Sequence, residues 1–212
     1  MRISIVVTIL SGLIFLTACS DPAADKSRAV TGEAAQTASP AAPAGQATRY
    51  PITTQNSKID FVGSKVTGSH NGSFQDFSGH IDYAGNVEQS RVNITIKTDS
   101  ITTDTADLTK HLKTADFFDV AKFPEATFVS TAIKPGGEKG ASHTVTGNLT
   151  MHGVTKSITF PATIAVTPDV ASVDANFSIN RKDFGINYAG AANNLIRDDV
   201  VLTLRIRANK AS

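Results

Sequence analysis

Three observations predict an all-β fold, an antiparallel closed β-barrel of about eight strands with a short helical insert around residues 105–120. After residue 49, apolar and polar residues alternate with a period of two, as in strands with one dry and one wet face. Clusters of Gly, Asn and Pro punctuate those stretches at short intervals, where antiparallel neighbours reverse direction. One stretch, Thr105 to Ile133, breaks the alternation and crowds its apolar residues together. A barrel of this size holds packed side chains or one small ligand. A two-sheet sandwich is the other architecture the same pattern permits.

The start of the chain stands apart from that pattern. Arg2 gives a short positive start, residues 3–16 form an apolar run broken only by small or hydroxyl residues, and Leu16-Thr17-Ala18-Cys19 comes next. This order predicts a signal peptide over residues 1–18, and the run is too short for a comfortable membrane span. Cys19 is the sole cysteine of the 212 residues, so no internal disulfide forms. Leu-Thr-Ala-Cys is similar to the bacterial lipoprotein box, in which the thiol carries diacylglycerol. Cys19 is therefore the expected lipidation site, and two or three acyl chains anchor a protein stably. Ser20 rather than Asp stands after it, which in the pattern of enteric bacteria implies the outer membrane. Residues 19–48 are rich in Ala, Pro, Thr, Gly and Gln without an aromatic before Tyr50, and are expected to be a disordered tether.

Residues 49–212 supply the barrel domain. Ile59 and Phe61 face one way with Lys58 and Asp60 opposite, and Gly68 and Asn71-Gly72 mark a turn. Phe77, Gly79, Ile81 and Tyr83 alternate with polar neighbours, and Ala84-Gly85-Asn86 leads back into Val92, Ile94 and Ile96, a hairpin. In the central stretch Leu108 and Leu112 share a helix face, Thr114 caps a further turn carrying Phe117 and Phe118, and Pro124 ends it. Alternation then returns, with Ala126, Phe128, Ser130 and Ala132 on one face and Thr127, Val129, Thr131 and Ile133 on the other. Thr144 to Phe160 reads as a hairpin turning at His152-Gly153, with Val145, Gly147, Leu149 and Met151 on its apolar face. Pro161 marks an edge, a bulge or the end of pairing. Ala171 to Ile179 and Leu202 to Ile206 are the last strands.

Composition narrows the function. A formal net charge of +1 gives no electrostatic reason to expect nucleic acid as a partner. His70, His80, His111, His143 and His152 form no pair at metal-ligand spacing, so no metal is expected. Asp116, Asp119 and Glu125 are not placed about a substrate, no serine stands in a nucleophile elbow, and no glycine loop precedes a helix as a phosphate site does. No catalytic residue and no cofactor is assigned.

Several short pieces in a fixed order carry a family likeness. They are Ser57-Lys58-Ile59-Asp60-Phe61, Gly72-Ser73-Phe74 with Phe77-Ser78-Gly79, Asp99-Ser100-Ile101, and His111-Leu112-Lys113 with Asp116-Phe117-Phe118-Asp119. Phe123-Pro124 leading to Thr127-Phe128, Gly147-Asn148-Leu149-Thr150 with His152-Gly153-Val154-Thr155, and Arg181-Lys182-Asp183-Phe184-Gly185 complete the series. From about Tyr50 to Ala208 the chain resembles the YceI-like family of lipid- or polyisoprenoid-binding proteins. That resemblance implies a lipocalin-like barrel, secreted or periplasmic, whose interior holds a long isoprenoid or other lipid chain. Phe61, Phe77, Ile94, Phe117, Phe118, Phe128, Leu149, Phe160, Phe177 and Phe184 are the expected lining, set against the alternative that they fill a solid core. Arg181 stands directly after an apolar strand face and is a candidate to hold a polar or phosphate headgroup at the rim, against the favoured alternative of pairing with Asp183 or another carboxylate. The expected function is non-enzymatic binding, storage or transport of a quinone- or polyprenyl-type lipid. The expected partners are that lipid and the membrane reached through Cys19, in the cell envelope facing the periplasm. An enzyme or accessory of such lipids, or a filled-barrel interaction module, are the other readings.

Overall fold

The computed structural model describes residues 21–35, 47–192 and 194–210. The expected signal peptide and Cys19 lie outside them. In chain order the strands are β1 (Ser27–Arg28), β2 (Val30–Glu33), β3 (Thr48–Ile52), β4 (Lys58–Lys65), β5 (Gly68–Phe74), β6 (Phe77–Tyr83), β7 (Arg91–Lys97) and β8 (Ile101–Thr103). Helix α1 (Ala106–Leu112) comes next, then β9 (Glu125–Pro135), β10 (His143–Met151), β11 (Val154–Val166), β12 (Val170–Asn180), β13 (Gly190–Ala191), β14 (Asn194–Leu195) and β15 (Asp199–Asn209).

The main sheet runs in the order β3-β6-β7-β9-β10-β11-β12-β15-β4-β5-β8, antiparallel at each step, and β13 pairs with β14 separately. It curls until β3 lies against β15. No ladder joins its two ends among the described strands, so it is a curled half-barrel sheet. The all-β antiparallel fold with a short helical insert is as expected; the expected closure is not among the hydrogen-bonded pairings.

Local chemistry sets the reversals. Met151 pairs with Val154 across a two-residue turn, and His152 and Gly153 both adopt positive φ, 51° and 75°. Two successive left-handed residues give the turn whose twist matches the strands it joins. In β9, pairing with β10 shifts between Thr146 and Gly147, which face Ala132 and Ser130 and leave Thr131 as the extra residue. This bulge reverses the side-chain alternation. Ala126 and Ser130 are buried as expected, but the next buried residue is Ile133 rather than Ala132, which corrects the expected facing beyond Ser130. Ser130 Oγ accepts the Val92 N–H at 2.8 Å beyond the last residue that β7 pairs with β9, Asn93.

The expected tether departs most from the structure. Residues 21–35 are ordered and form part of the wall. β11 and β12 pair only through Thr163–Val166 and Ala171–Asp174; beyond that they diverge. β2 pairs with Lys156–Thr159 of β11, and β1 pairs in parallel with Phe177 and Ser178 of β12. The segment thus fills the seam between two strand edges whose backbone groups would otherwise lack partners. Small residues suit it, and Ser27 and Ala29 are buried there. Asn148 fixes the far end, its amide donating to Ala35 O at 2.7 Å and accepting the Ala35 N–H at 2.9 Å. Composition alone misses this, because the segment is held by backbone hydrogen bonds rather than by an apolar face. Pro161 stands between the β2 and β12 partners of β11, where that edge has no ladder partner.

The interior divides in two. Tyr50, Ile52, Phe77 and Ile81 form a packed cluster with Ile206 and Ala208 at one end, where Tyr50 OH donates to Thr167 O at 2.9 Å. The larger cluster, including Phe117, Phe160 and Phe177, encloses most of a hollow that Ile59, Ile94 and Ile206 of the first also border.

Candidate functional site

The hollow has a volume of about 390 Å³, some thirty times the roughly 10–15 Å³ that one water centre requires. Its wall is built from the inward positions of the strands and is almost wholly apolar. Three aromatic groups shape it. Phe61, Phe74 and Phe118 form a chain with successive ring centroids 5.8 Å apart. On another side Phe128 lies 5.7 Å from Phe160, which stacks on Phe177 at 4.1 Å with the planes 9° apart. At the mouth His111, Phe117 and Tyr188 meet with centroids 5.0 to 5.3 Å apart.

Two glycines let the rings lie flat against the sheet. A methyl at Gly72 would stand 2.2 Å from the Phe61 ring, and one at Gly147 would stand 2.4 Å from the Phe128 ring. Each phenyl therefore covers a glycine on the neighbouring strand, and any larger residue drives the ring inward.

The insert caps the open end. Seven residues make a marginal helix in isolation; Asp107 in its first turn and Lys110 and His111 in its last favour the helix dipole. Leu112 is buried and Leu108 half-buried over the hollow, so packing supplies the stability that length does not. No second helix succeeds it. Thr114 instead anchors hydrogen-bonded turns, its Oγ accepting the Asp116 N–H and its carbonyl the Phe117 N–H, and these place Phe117 and Phe118 against the cavity.

Of the expected lining, Phe61, Ile94, Phe117, Phe118, Phe128, Leu149, Phe160 and Phe177 do border the hollow. Phe77 and Phe184 do not. Phe77 belongs to the cluster around Tyr50 and Ile52, whose members Ile59, Ile94 and Ile206 reach the hollow while Phe77 does not, and Phe184, fully buried in the 3-10 turn after β12, packs within the larger cluster without reaching the hollow. Period-two spacing gives Phe77 its face but not its depth along the barrel axis, and Phe184 stands in a turn outside any strand period.

Arg181 borders the hollow but is 4% exposed. Its Nε donates to Arg197 O at 3.1 Å and its Nη1 to Ile186 O at 2.7 Å, while Nη2 reaches Ile196 O and Asp198 Oδ1 at 3.5 and 3.4 Å. The guanidinium clamps the loop over residues 186–198 instead of facing a headgroup, and its carboxylate partner is Asp198 rather than Asp183. Burial lowers its proton affinity and the Asp198 charge raises it; an arginine stays cationic under either influence.

Sequence reasoning missed Phe74, Leu112, Met151 and Tyr188 as lining residues. Met151 shares the alternating face of Leu149, and Leu112 the helix face of Leu108, so both were within reach of periodicity. Tyr188 lies in an irregular stretch with no period to read. Near the mouth His111 Nε2 and Asp116 Oδ2 are 2.8 Å apart, a pair that fixes the turn after α1. No group of three or more His, Cys, Asp or Glu among the described residues is arranged to hold a metal ion.

Comparison with known proteins places this arrangement. The family model of the YceI-like domain matches residues 50–208. A UPF0312 protein of Pseudomonas putida strain GB-1 is 43% identical over 136 residues, 61% of this chain and 70% of that protein. A UPF0312 protein of Pseudomonas fluorescens strain SBW25 is 39% identical over 156 residues, 70% of this chain and 80% of that one. Among solved structures, BcnA of Burkholderia cenocepacia matches 74% of this chain and 99% of its own with a TM-score of 0.63 at 26% identity. A polyisoprenoid binding domain from Saccharophagus degradans, implicated in plant cell wall breakdown, matches 78% of this chain and 99% of its own with a TM-score of 0.62. At 18% identity that last likeness concerns the fold.

Proposed function

The chain belongs to the YceI-like domain family, and from that premise we propose that it binds a long-chain isoprenoid or related lipid, of quinone or polyprenyl type, without chemical turnover, and stores or carries it in the cell envelope. The observation that carries this reading is the hollow itself: about 390 Å³ of apolar space, walled by aromatic and aliphatic side chains. An isoprenoid chain is the ligand class named for one solved domain of the same fold, and a wall with so few polar groups suits a hydrocarbon tail. Binding without turnover is supported by Arg181, whose guanidinium at the wall is occupied by loop carbonyls. Lipidation at Cys19, a periplasm-facing position and attachment to the outer membrane complete the proposal. They rest on the order of charge, apolar run and Leu-Thr-Ala-Cys at the start of the chain.

The energetics are sufficient without a headgroup contact. Burying about twenty carbons gives roughly 15 kcal/mol gross at 0.8 kcal/mol per methylene, and a realistic efficiency near 0.3 kcal/mol per atom leaves about 6 kcal/mol. Affinity then grows with chain length until the hollow is full. Titrating delipidated protein with polyprenyl alcohols of increasing length tests this: each added carbon strengthens binding by a factor of about 2 to 4 up to a plateau. Affinity independent of chain length would contradict it.

A further inference from the structure

We propose that the open end of the barrel is a lipid-docking surface, with Val66, Tyr188 and Leu195 resting in the outer layer of a bilayer so that the hollow opens into the membrane instead of into water. This rests on the proposed function, for its cargo on the carrier reading and for the attachment point on lipidation at Cys19, and it is argued from three features of the rim.

The first is exposed apolar surface. Four large apolar side chains are exposed among the described residues: Val30, and at 50%, 37% and 49% Val66, Tyr188 and Leu195. The last three share one rim. The Val66 N–H donates to Leu195 O at 3.1 Å, and the Ile196 N–H donates to Ala189 O at 3.0 Å, which holds the β4–β5 turn, the β13–β14 hairpin and the Tyr188 arm together. Tyr188 then packs on His111 of the capping helix. A short loop surface with an aliphatic pair and a tyrosine suits the boundary between headgroups and acyl chains.

The second is charge. Lys65 precedes Val66, lines the mouth and has no ion-pair partner among the described residues. An ammonium on a flexible stem beside an apolar patch reaches a lipid phosphate while its methylenes stay among the tails.

The third is the position of residue 21. Asp21 Oδ2 lies 3.2 Å from Arg197 Nη1, and the Arg197 N–H donates to Ser64 O at 2.8 Å. Arg197 and Ser64 both border the hollow, so residue 21 is fastened to the same rim. Cys19 is two residues upstream, a reach of at most about 7 Å. Asp21 at the apolar rim, with the proposed lipidation at Cys19 two residues before it, favours a bilayer over a protein as the occupant. A free tether of thirty residues would fix no such orientation; the seam-filling segment does.

The test uses the full lipidated chain in vesicles of phosphatidylethanolamine and phosphatidylglycerol. Nitroxide labels are placed at Val66→Cys and Leu195→Cys on the rim, and at Asp169→Cys in the β11–β12 turn at the other end. Rim labels accessible to oxygen and shielded from a water-soluble nickel chelate, with the reverse at Asp169→Cys, are expected. Equal aqueous exposure at all three positions overturns the proposal. In a second measurement, Val66→Glu with Leu195→Glu slows transfer of a fluorescent polyprenyl probe from protein to vesicles by at least about tenfold, with probe affinity in vesicle-free solution unchanged. Unchanged transfer counts against docking, whereas loss of probe binding by the unsubstituted chain counts against the carrier reading and leaves the label result to decide docking alone.

Discussion

Replacing Ala126 by Leu separates a hollow barrel from a solid one. Ala126 is 4% exposed on β9, pairs with Ile96 of β7 and borders the cavity. The substitution adds three carbons to a wall that faces open space. If a ligand tail occupies that space, the variant displaces about three ligand carbons, costing about 0.9 kcal/mol at 0.3 kcal/mol per atom and about 2.4 kcal/mol at 0.8 kcal/mol per methylene. Affinity for a polyprenyl probe then falls between about 5-fold and 60-fold. Stability of the ligand-free protein is unchanged or higher, because the new side chain is buried in a void. In a close-packed interior the same change would overpack and cost about 1–3 kcal/mol. Fluorescence displacement gives the first quantity and urea denaturation of delipidated protein the second. A variant that loses stability by that amount and binds the probe as well as the parent would refute the reasoning.

The same geometry fixes the outcome of other perturbations. Phe184→Ala removes a fully buried ring that does not touch the hollow, and lowers stability by about 3–5 kcal/mol in chemical denaturation, while probe affinity of the remaining folded protein is unchanged; Phe118→Ala, on the cavity wall, weakens affinity at a smaller stability cost. Asn148→Ala deletes both bonds to Ala35, and amide exchange over residues 27–35 rises about tenfold or more, at about 1 kcal/mol per lost bond, whereas exchange in β7 stays as it was. Arg49 holds the Asp82 carboxyl below the ordinary carboxylate range, and the Asn71 N–H together with His70 does the same for Asp104. The unfolded chain therefore binds more protons over that interval, so this contribution is complete above about pH 4 and disappears as pH falls through the lowered folded values. Thermal melts at decreasing pH should show that loss, and Asp82→Asn with Asp104→Asn should flatten it.

The strands were legible because their dry faces alternate without interruption: Phe77 to Tyr83, Thr144 to Met151 and Ala171 to Ile179 stand where period-two patterning puts them. The bulge at Thr131 was not, since one extra residue leaves composition unchanged and reverses only the facing of the residues after it. Of the aromatic residues that border the hollow, Phe61, Phe117, Phe118, Phe128, Phe160 and Phe177 could be read from the sequence. Period-two patterning carries no depth along the barrel, so Phe77 reads the same as Phe160 and Phe177, and Phe184 lies in a turn that no period describes. Arg181 shows a related limit: a guanidinium after an apolar strand reads the same whether its partners are a ligand or the carbonyls of Ile186 and Arg197. The segment from Asp21 to Ala35 failed for a different reason. Its order comes from strand edges distant in sequence, left open where β11 and β12 part, and no local property of Ala, Thr and Gly announces such a gap.

Native mass spectrometry of the protein purified gently from the cells that produce it measures the main claim most directly. One apolar molecule per chain, with the mass of a polyprenyl or quinone lipid and displaced in the Ala126→Leu variant, is the predicted spectrum. A bare chain that also takes up no polyprenyl lipid when offered one in excess would contradict the account.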